Sequence, residues 1–224
     1  MQISFIYFDF PFWRAELGKI ALFCGDINFD IRTISFDEFE RVKDKGELDD
    51  GTIIPFHQLP CLVVDGVSIA QTGGIARFCG KLSGMYPTGD DILAARIDSF
   101  IDFATDITAT VSAVGKHDEE EVRVKKRKEL ANGELARKLR MLERYIDQSG
   151  RWTIGNAFGL PDIVIWRLMG WLTGGVVDGI PSDIIIKYPQ IQRICLQVEA
   201  HEKIRKWILK TYPDGYVRGN YEGV

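Results

Sequence analysis

The apolar positions of this chain change their period along its length, and that change divides it. ISFIYF (3–8) is short, β-branched and aromatic, the mark of a buried strand. WRAELGKIALFCG then places Leu17, Ile20, Ala21 and Cys24 at helical spacing and closes on Gly25. FDIRTISF (29–36) alternates as a second strand, and the residues that follow, DEFERVKDKGELDDGTIIPFH (37–57), read as a charged, irregular loop. CLVVDG and VSIAQ form a hairpin turning on Asp65-Gly66, and a helix runs from Gly74 to about Gly84. Beyond Pro87 the pattern is helical throughout, with DDILAARIDSFIDFATDITATVSAVG repeating apolar residues at three and four, and further helices at 118–148, 161–173, 182–186 and 189–210. The predicted architecture is an α/β unit of order βαβ-ββα over 1–84, a linker at 85–91, and an all-α unit over 92–224.

Composition narrows the classes of function. The chain has 224 residues, 46% apolar and 27% charged, with a net charge of -4, as expected of a folded chain with a full core. The basic run VRVKKRK (122–128) directly follows DEEE (118–121), so it reads as a compensated, solvated helix face and not as a phosphate-binding patch; no nucleic-acid partner is expected. Cys24, Cys61, Cys79 and Cys195 are scattered without C-x-x-C, and His57, His117 and His201 form no paired motif, which argues against disulfides, a metal site or a dithiol centre. The N-terminus has no basic region before its apolar run, and no apolar run approaches the roughly 18 residues of a membrane span; even IVIWRLMGWL is broken by Arg167. A cytoplasmic location is expected.

Five short pieces carry the chemistry. They are Tyr7-Phe8 at the end of the first strand, Arg14-Ala15-Glu16, Gln58-Leu59-Pro60, the Asp65-Gly66 hairpin, and Gln71-Thr72-x-x-Ile75-Ala76-Arg77. Each alone is weak: Tyr7 would be a core aromatic, Lys43 a surface lysine, Pro60 a trans edge proline and Thr72 a helix N-cap. In this order and spacing they resemble the soluble glutathione transferases, most closely the sigma, mu and pi group, and the resemblance spans nearly the whole chain. It implies a thioredoxin-like first domain and an all-helical second one that contributes the hydrophobic substrate site.

The resemblance also implies roles. Glutathione would be co-substrate, with no metal. A cis Leu59–Pro60 bond would leave the Leu59 N–H and C=O to pair with its cysteinyl part, as an added strand does. Gln58, Gln71 and Thr72 would line the site, with Gln71 and Thr72 holding the γ-glutamyl end at a helix N-terminus. Phe8 would border it, and Phe39 and Lys43 would flank the glycyl end, Phe39 standing where tryptophan is usual. Tyr7 would stabilise the thiolate and Arg14 would support Tyr7, although the segment between them is one residue longer than the family's and contains Pro11. Phe10, Phe12 and Trp13 would wall a pocket for the second substrate.

In the helical half, Asp98, Asp102 and Asp106 share one helix face, the usual solvent-facing arrangement. The resemblance makes Asp106, or next Asp102, the aspartate that reaches across a homodimer to the glutathione amine. IGNAFGLPDIVIW (154–166) has Gly159 where the family's capping hydroxyl stands but keeps Asp162, leaving a capping box half missing. The C-terminal DGYVRGNYEGV either hangs free or closes an apolar site with Tyr216 and Tyr221. The reading is a homodimeric glutathione transferase acting on a hydrophobic electrophile. A glutathione-dependent isomerase of the prostaglandin type, or a non-catalytic scaffold of the same fold, are the alternatives.

Overall fold

In the computed structural model, which describes residues 1–222, strand β1 (Ile3–Tyr7) lies at the centre of a four-stranded sheet ordered β2-β1-β3-β4. It runs parallel to β2 (Asp30–Thr33) and antiparallel to β3 (Cys61–Val64), which pairs in turn with β4 (Val67–Ala70). Both faces of β1 are covered, which is why its sequence is nearly continuously apolar. Phe5 meets helices α1 (Trp13–Cys24) and α3 (Thr72–Ser83). These approach closely because residue 18 of α1 is glycine: a Cβ there would lie 2.7 Å from the Phe5 ring and 3.1 Å from Ile75. Ile6 points to the opposite face, into a core with Ile34, Val42, Leu48, Ile54 and Cys61.

The predicted loop at 37–57 is corrected by the structure. Phe36–Lys45 is a helix, α2, and the first unit is β-α-β-α-β-β-α. Its start is fixed by a reciprocal cap in which Ser35 Oγ accepts the Glu38 N–H at 3.1 Å and the Glu38 carboxylate accepts the Ser35 N–H at 2.8 Å. Gly46 ends it at φ +75, donating to the Val42 carbonyl. Only Val42 is buried along the helix, yet Phe36, Phe39 and Val42 recur every three residues and the S-x-x-E spacing marks its start, so both signals are present amid the charge. The hairpin turns on Asp65 and Gly66, both at positive φ, as two-residue hairpins favour.

The chain divides into two compact units, Met1–Ala94 and Ala95–Val224. Helix α4 (Asp91–Ala113) leads into the second. The predicted helix at 118–148 is two, α5 (Glu120–Asn132) and α6 (Glu134–Tyr145), parted at Gly133 with φ -106 and ψ -105. Residues 182–186 form successive turns rather than a helix. The stretch 189–210 is broken at His201, giving α8 (Pro189–Ala200) and α9 (Glu202–Thr211). Helix α7 (Leu160–Thr173) is buried on every side. At its head Gly159 offers no hydroxyl, and the fully buried Asp162 carboxylate accepts the N–H groups of Gly159 and Thr153, each at 2.8 Å.

The C-terminal segment packs on α7 and α8. The Tyr221 ring is buried, its hydroxyl 3.1 Å from the Trp166 and Arg218 carbonyl oxygens. Asn220 N–H donates to Thr173 Oγ1 and the Gln192 amide to the Tyr221 carbonyl. The bare Cα of Gly170 makes room: a Cβ there would meet the Arg218 oxygen at 2.2 Å and the Tyr221 hydroxyl at 2.7 Å. Tyr221 therefore belongs to the core of the helical unit, and Tyr216 stacks on Tyr212 at 5.1 Å.

Candidate active site

A cleft of about 320 Å³ opens in the first unit, near the small end of the usual range for ligand sites. Its walls come from five places in the sequence. The end of β1 supplies Phe8 and the start of α1 supplies Arg14; α2 supplies Phe39. The loop before β3 supplies Gln58, Leu59 and Pro60, and the start of α3 supplies Gln71 and Thr72. Predicted residues scattered over sixty-odd positions are thereby gathered into one cavity.

The Leu59–Pro60 peptide is cis. Leu59 lies outside both flanking elements, and its N–H and C=O carry no hydrogen bond to other described residues. On the facing wall, Gln71 is the N-cap of α3 with φ +67 and ψ 130, a conformation non-glycine residues adopt at a cost. Thr72 is therefore the first helical residue and not the cap, and no side chain caps the helix. The Gln71 carbonyl takes the Ile75 N–H, so those of Thr72, Gly73 and Gly74 precede the first helical bond and are left unpaired among the described residues. Gln71 Nε2 donates to Gln58 Oε1 at 3.2 Å, linking the two walls.

Tyr7 is not among the residues that line the cavity. Only 5% of the residue is exposed, and its ring meets Phe8 edge-on at 5.4 Å and Phe10 at 5.7 Å. Its hydroxyl has no hydrogen-bond partner among the described residues. Burial pushes the phenol well above its ordinary pKa, with the Arg14 charge opposing this and Glu16 adding to it, so the group is an O–H donor across the neutral range. Arg14, half-buried, lies over the Trp13 ring at 5.1 Å, lines the cleft, and is near enough for its charge to act on the Tyr7 phenol. Burial lowers the Arg14 pKa, but a guanidinium remains charged.

Other predicted positions stand apart. Lys43 is exposed on α2, its ammonium 2.5 Å from Glu40 and 5.3 Å from the centre of the Phe39 ring, and it does not line the cleft. Asp106 and Asp102 are exposed on α4, in the second unit. The expected aromatic wall is corrected at Trp13, which is wholly buried; Phe12, half-buried, is the N-cap of α1 and does not line the cleft. Phe10, 43% exposed, instead stacks on Phe8 with planes 6° apart, and Phe36 stacks on Phe8 at 4.7 Å. The sequence reading missed Phe36 because it assigned that residue to the end of a strand; the cap at Ser35 would have placed it on a helix.

Among the described residues no cluster of His, Cys, Asp and Glu is arranged to hold a metal, and no helix is long and apolar enough to cross a membrane. The family model described as glutathione S-transferase, C-terminal domain, matches residues 105–211. Glutathione S-transferase 1 of Ascaris suum is 24% identical over 212 residues, covering 92% of this chain and 95% of that protein. Hematopoietic prostaglandin D synthase of Gallus gallus is 23% identical over 198 residues, 88% and 90% of the two chains. Among solved structures, prostaglandin synthase D of Nilaparvata lugens is similar in fold, with a TM-score of 0.79 at 24% identity over 95% of this chain and 100% of that one.

Proposed function

Because the chain belongs to the glutathione transferase family, we propose that its cleft binds glutathione and that Tyr7 stabilises the glutathione thiolate for attack on an apolar electrophile. The observation that carries this is the pairing of two unmet needs on one cleft: a free peptide edge at Leu59 and an uncapped helix start at Thr72. A short acidic peptide meets both. Its central amide pairs with the Leu59 N–H and C=O, and its γ-glutamyl carboxylate lies against the N–H groups that open α3, aided by Gln71, Thr72 and Gln58. Phe8 and Phe39 border the peptide. Lys43 meets the glycyl carboxylate once its ammonium leaves Glu40.

No cysteine lines the cleft, so the reactive sulfur comes from the ligand. Burial holds the Cys61 thiol at about 11 and the Cys79 thiol at about 12, so both stay protonated at neutral pH. A free glutathione thiol, near a pKa of about 8.5, is also mostly protonated there. A protonated, otherwise unpartnered phenol beside a fixed guanidinium favours the thiolate through a charge-assisted bond. Phe10 and Phe36 extend the aromatic surface next to Tyr7 and would receive the second substrate.

In this reading the protein is a C2 homodimer, with Asp106 reaching the partner's glutathione amine. A second reading is favoured by the likeness to prostaglandin D synthases: the same thiolate would isomerise a substrate without consuming glutathione. The test is calorimetric binding of glutathione followed by ultraviolet titration of the bound thiol. A bound-thiol pKa at least about one unit below 8.5 is expected. Binding with an unmoved pKa would make the cleft a non-catalytic relic, and no binding would overturn the reading. Measuring glutathione consumed per turnover separates transferase from isomerase.

A further inference from the structure

We propose that His57 is a positioning residue: it locks α2 against the Gln58–Pro60 wall and thereby sets the affinity of the cleft for glutathione, an inference that rests on the reading of the cleft given above. Phe56 and His57 stand side by side at φ +59 and φ +52, two consecutive non-glycine residues in the left-handed region. Such a pair persists only where its surroundings over-determine it. Phe56 is 70% exposed, and although His57 is exposed as well its imidazole is bonded to α2, so the determining side chain is His57.

The imidazole is held by one hydrogen bond and by close packing. Nδ1 lies 2.8 Å from the Lys43 carbonyl oxygen, in the last turn of α2, and must carry the proton it donates there. The ring is seated on Gly46: a Cβ at residue 46 would come within 2.5 Å of Nε2 and 2.8 Å of Cδ2. Backbone bonds close a circuit around this contact. The Gly46 N–H donates to Val42, the Ile54 N–H to Gly46, and the His57 N–H to Ile54. The side-chain bond from His57 back to Lys43 completes the loop.

The circuit joins the two walls of the cleft. One arm ends in α2, which carries Phe39 and Lys43, and the other passes directly into Gln58 and Leu59. His57 itself does not line the cavity, and its nitrogens face α2, so it acts through these neighbours and not on the ligand.

The test compares His57→Gly with His57→Asn. Glycine accepts the left-handed backbone but removes the ring; asparagine tolerates that backbone and places an amide donor where Nδ1 stands. With 1-chloro-2,4-dinitrobenzene as electrophile, His57→Gly is expected to raise the KM for glutathione about fivefold while kcat stays near wild type, the loss of one hydrogen bond being worth that factor. Hydrogen exchange at the amides of residues 42–46 should accelerate by a similar factor, and His57→Asn should restore both readings. Faster exchange with unchanged KM would reduce His57 to a structural role and overturn the proposal, as would unchanged exchange. A wild-type protein that binds no glutathione overturns the reading of the cleft and with it the affinity claim, while the exchange comparison still decides whether His57 pins α2.

Discussion

Replacing Tyr7 by Phe should separate folding from chemistry. In the free protein the Tyr7 hydroxyl has no partner among the described residues, while the ring packs on Phe8 and Phe10. Phe keeps the ring contacts and deletes no protein hydrogen bond, so folding stability should stay within about 0.5 kcal/mol of wild type. In the glutathione complex the same hydroxyl donates to the thiolate, a charge-assisted bond worth roughly 1.5–3 kcal/mol. At 1.36 kcal/mol per unit, its loss raises the bound-thiol pKa by about one to two units. The direction is fixed by Tyr7 being an O–H donor: a phenolate beside the sulfur would repel the thiolate, and removing it would lower that pKa. Two measurements check this, the ultraviolet titration of bound glutathione and kcat/KM across pH. Around pH 6.5 the variant should be slower by about tenfold or more, following the thiolate fraction, whereas well above both pKa values the two proteins should converge. A thiol pKa unchanged by the substitution, or an activity ratio that is flat with pH, would refute the assignment of Tyr7.

The buried Asp162 gives a pH prediction of opposite character. Burial raises its pKa from 3.8 to about 6 despite the N–H bonds from Thr153 and Gly159, so its contribution to stability is fully present below pH 3.8 and is lost as pH rises through 6. The shift amounts to about 3 kcal/mol, and the urea-denaturation gap between wild type and Asp162→Asn should shrink by about that much from pH 4 to 7; a gap constant in pH would contradict it. Gln71→Gly relieves a positive φ costing about 1–3 kcal/mol and adds a glycine penalty of about 0.5–1 kcal/mol, so thermal stability should hold or rise while glutathione affinity falls. Tyr221→Ala should destabilise the helical unit by about 3–5 kcal/mol, as for other buried aromatics, read as a lower urea midpoint; a change within error would show that the C-terminal segment is not part of that core.

The sequence by itself determined the strand and helix order of the first unit except α2; it named the residues that line the cleft, but also Tyr7, Lys43 and Asp106, which do not line it. The strands were legible because buried strands are written in β-branched and aromatic residues, the hairpin because Asp65-Gly66 favours positive φ. Helix α2 escaped because its charge density reads as a loop, although Phe36, Phe39 and Val42 recur at three and Ser35 caps its start. Trp13 was misassigned for a related reason: composition marks a residue as aromatic, while only packing decides whether it faces a cavity or the core.

What the tertiary structure alone decided is how those pieces meet. The stacking of Phe36 on Phe8, the burial that raises the pKa of the Tyr7 phenol and the seating of His57 on Gly46 all depend on residues distant in sequence. Local pattern reports the conformation a segment prefers and the face it buries. It carries no term for the distance between two side chains on different segments, nor for the water removed from between them, and both pKa and binding geometry depend on those quantities.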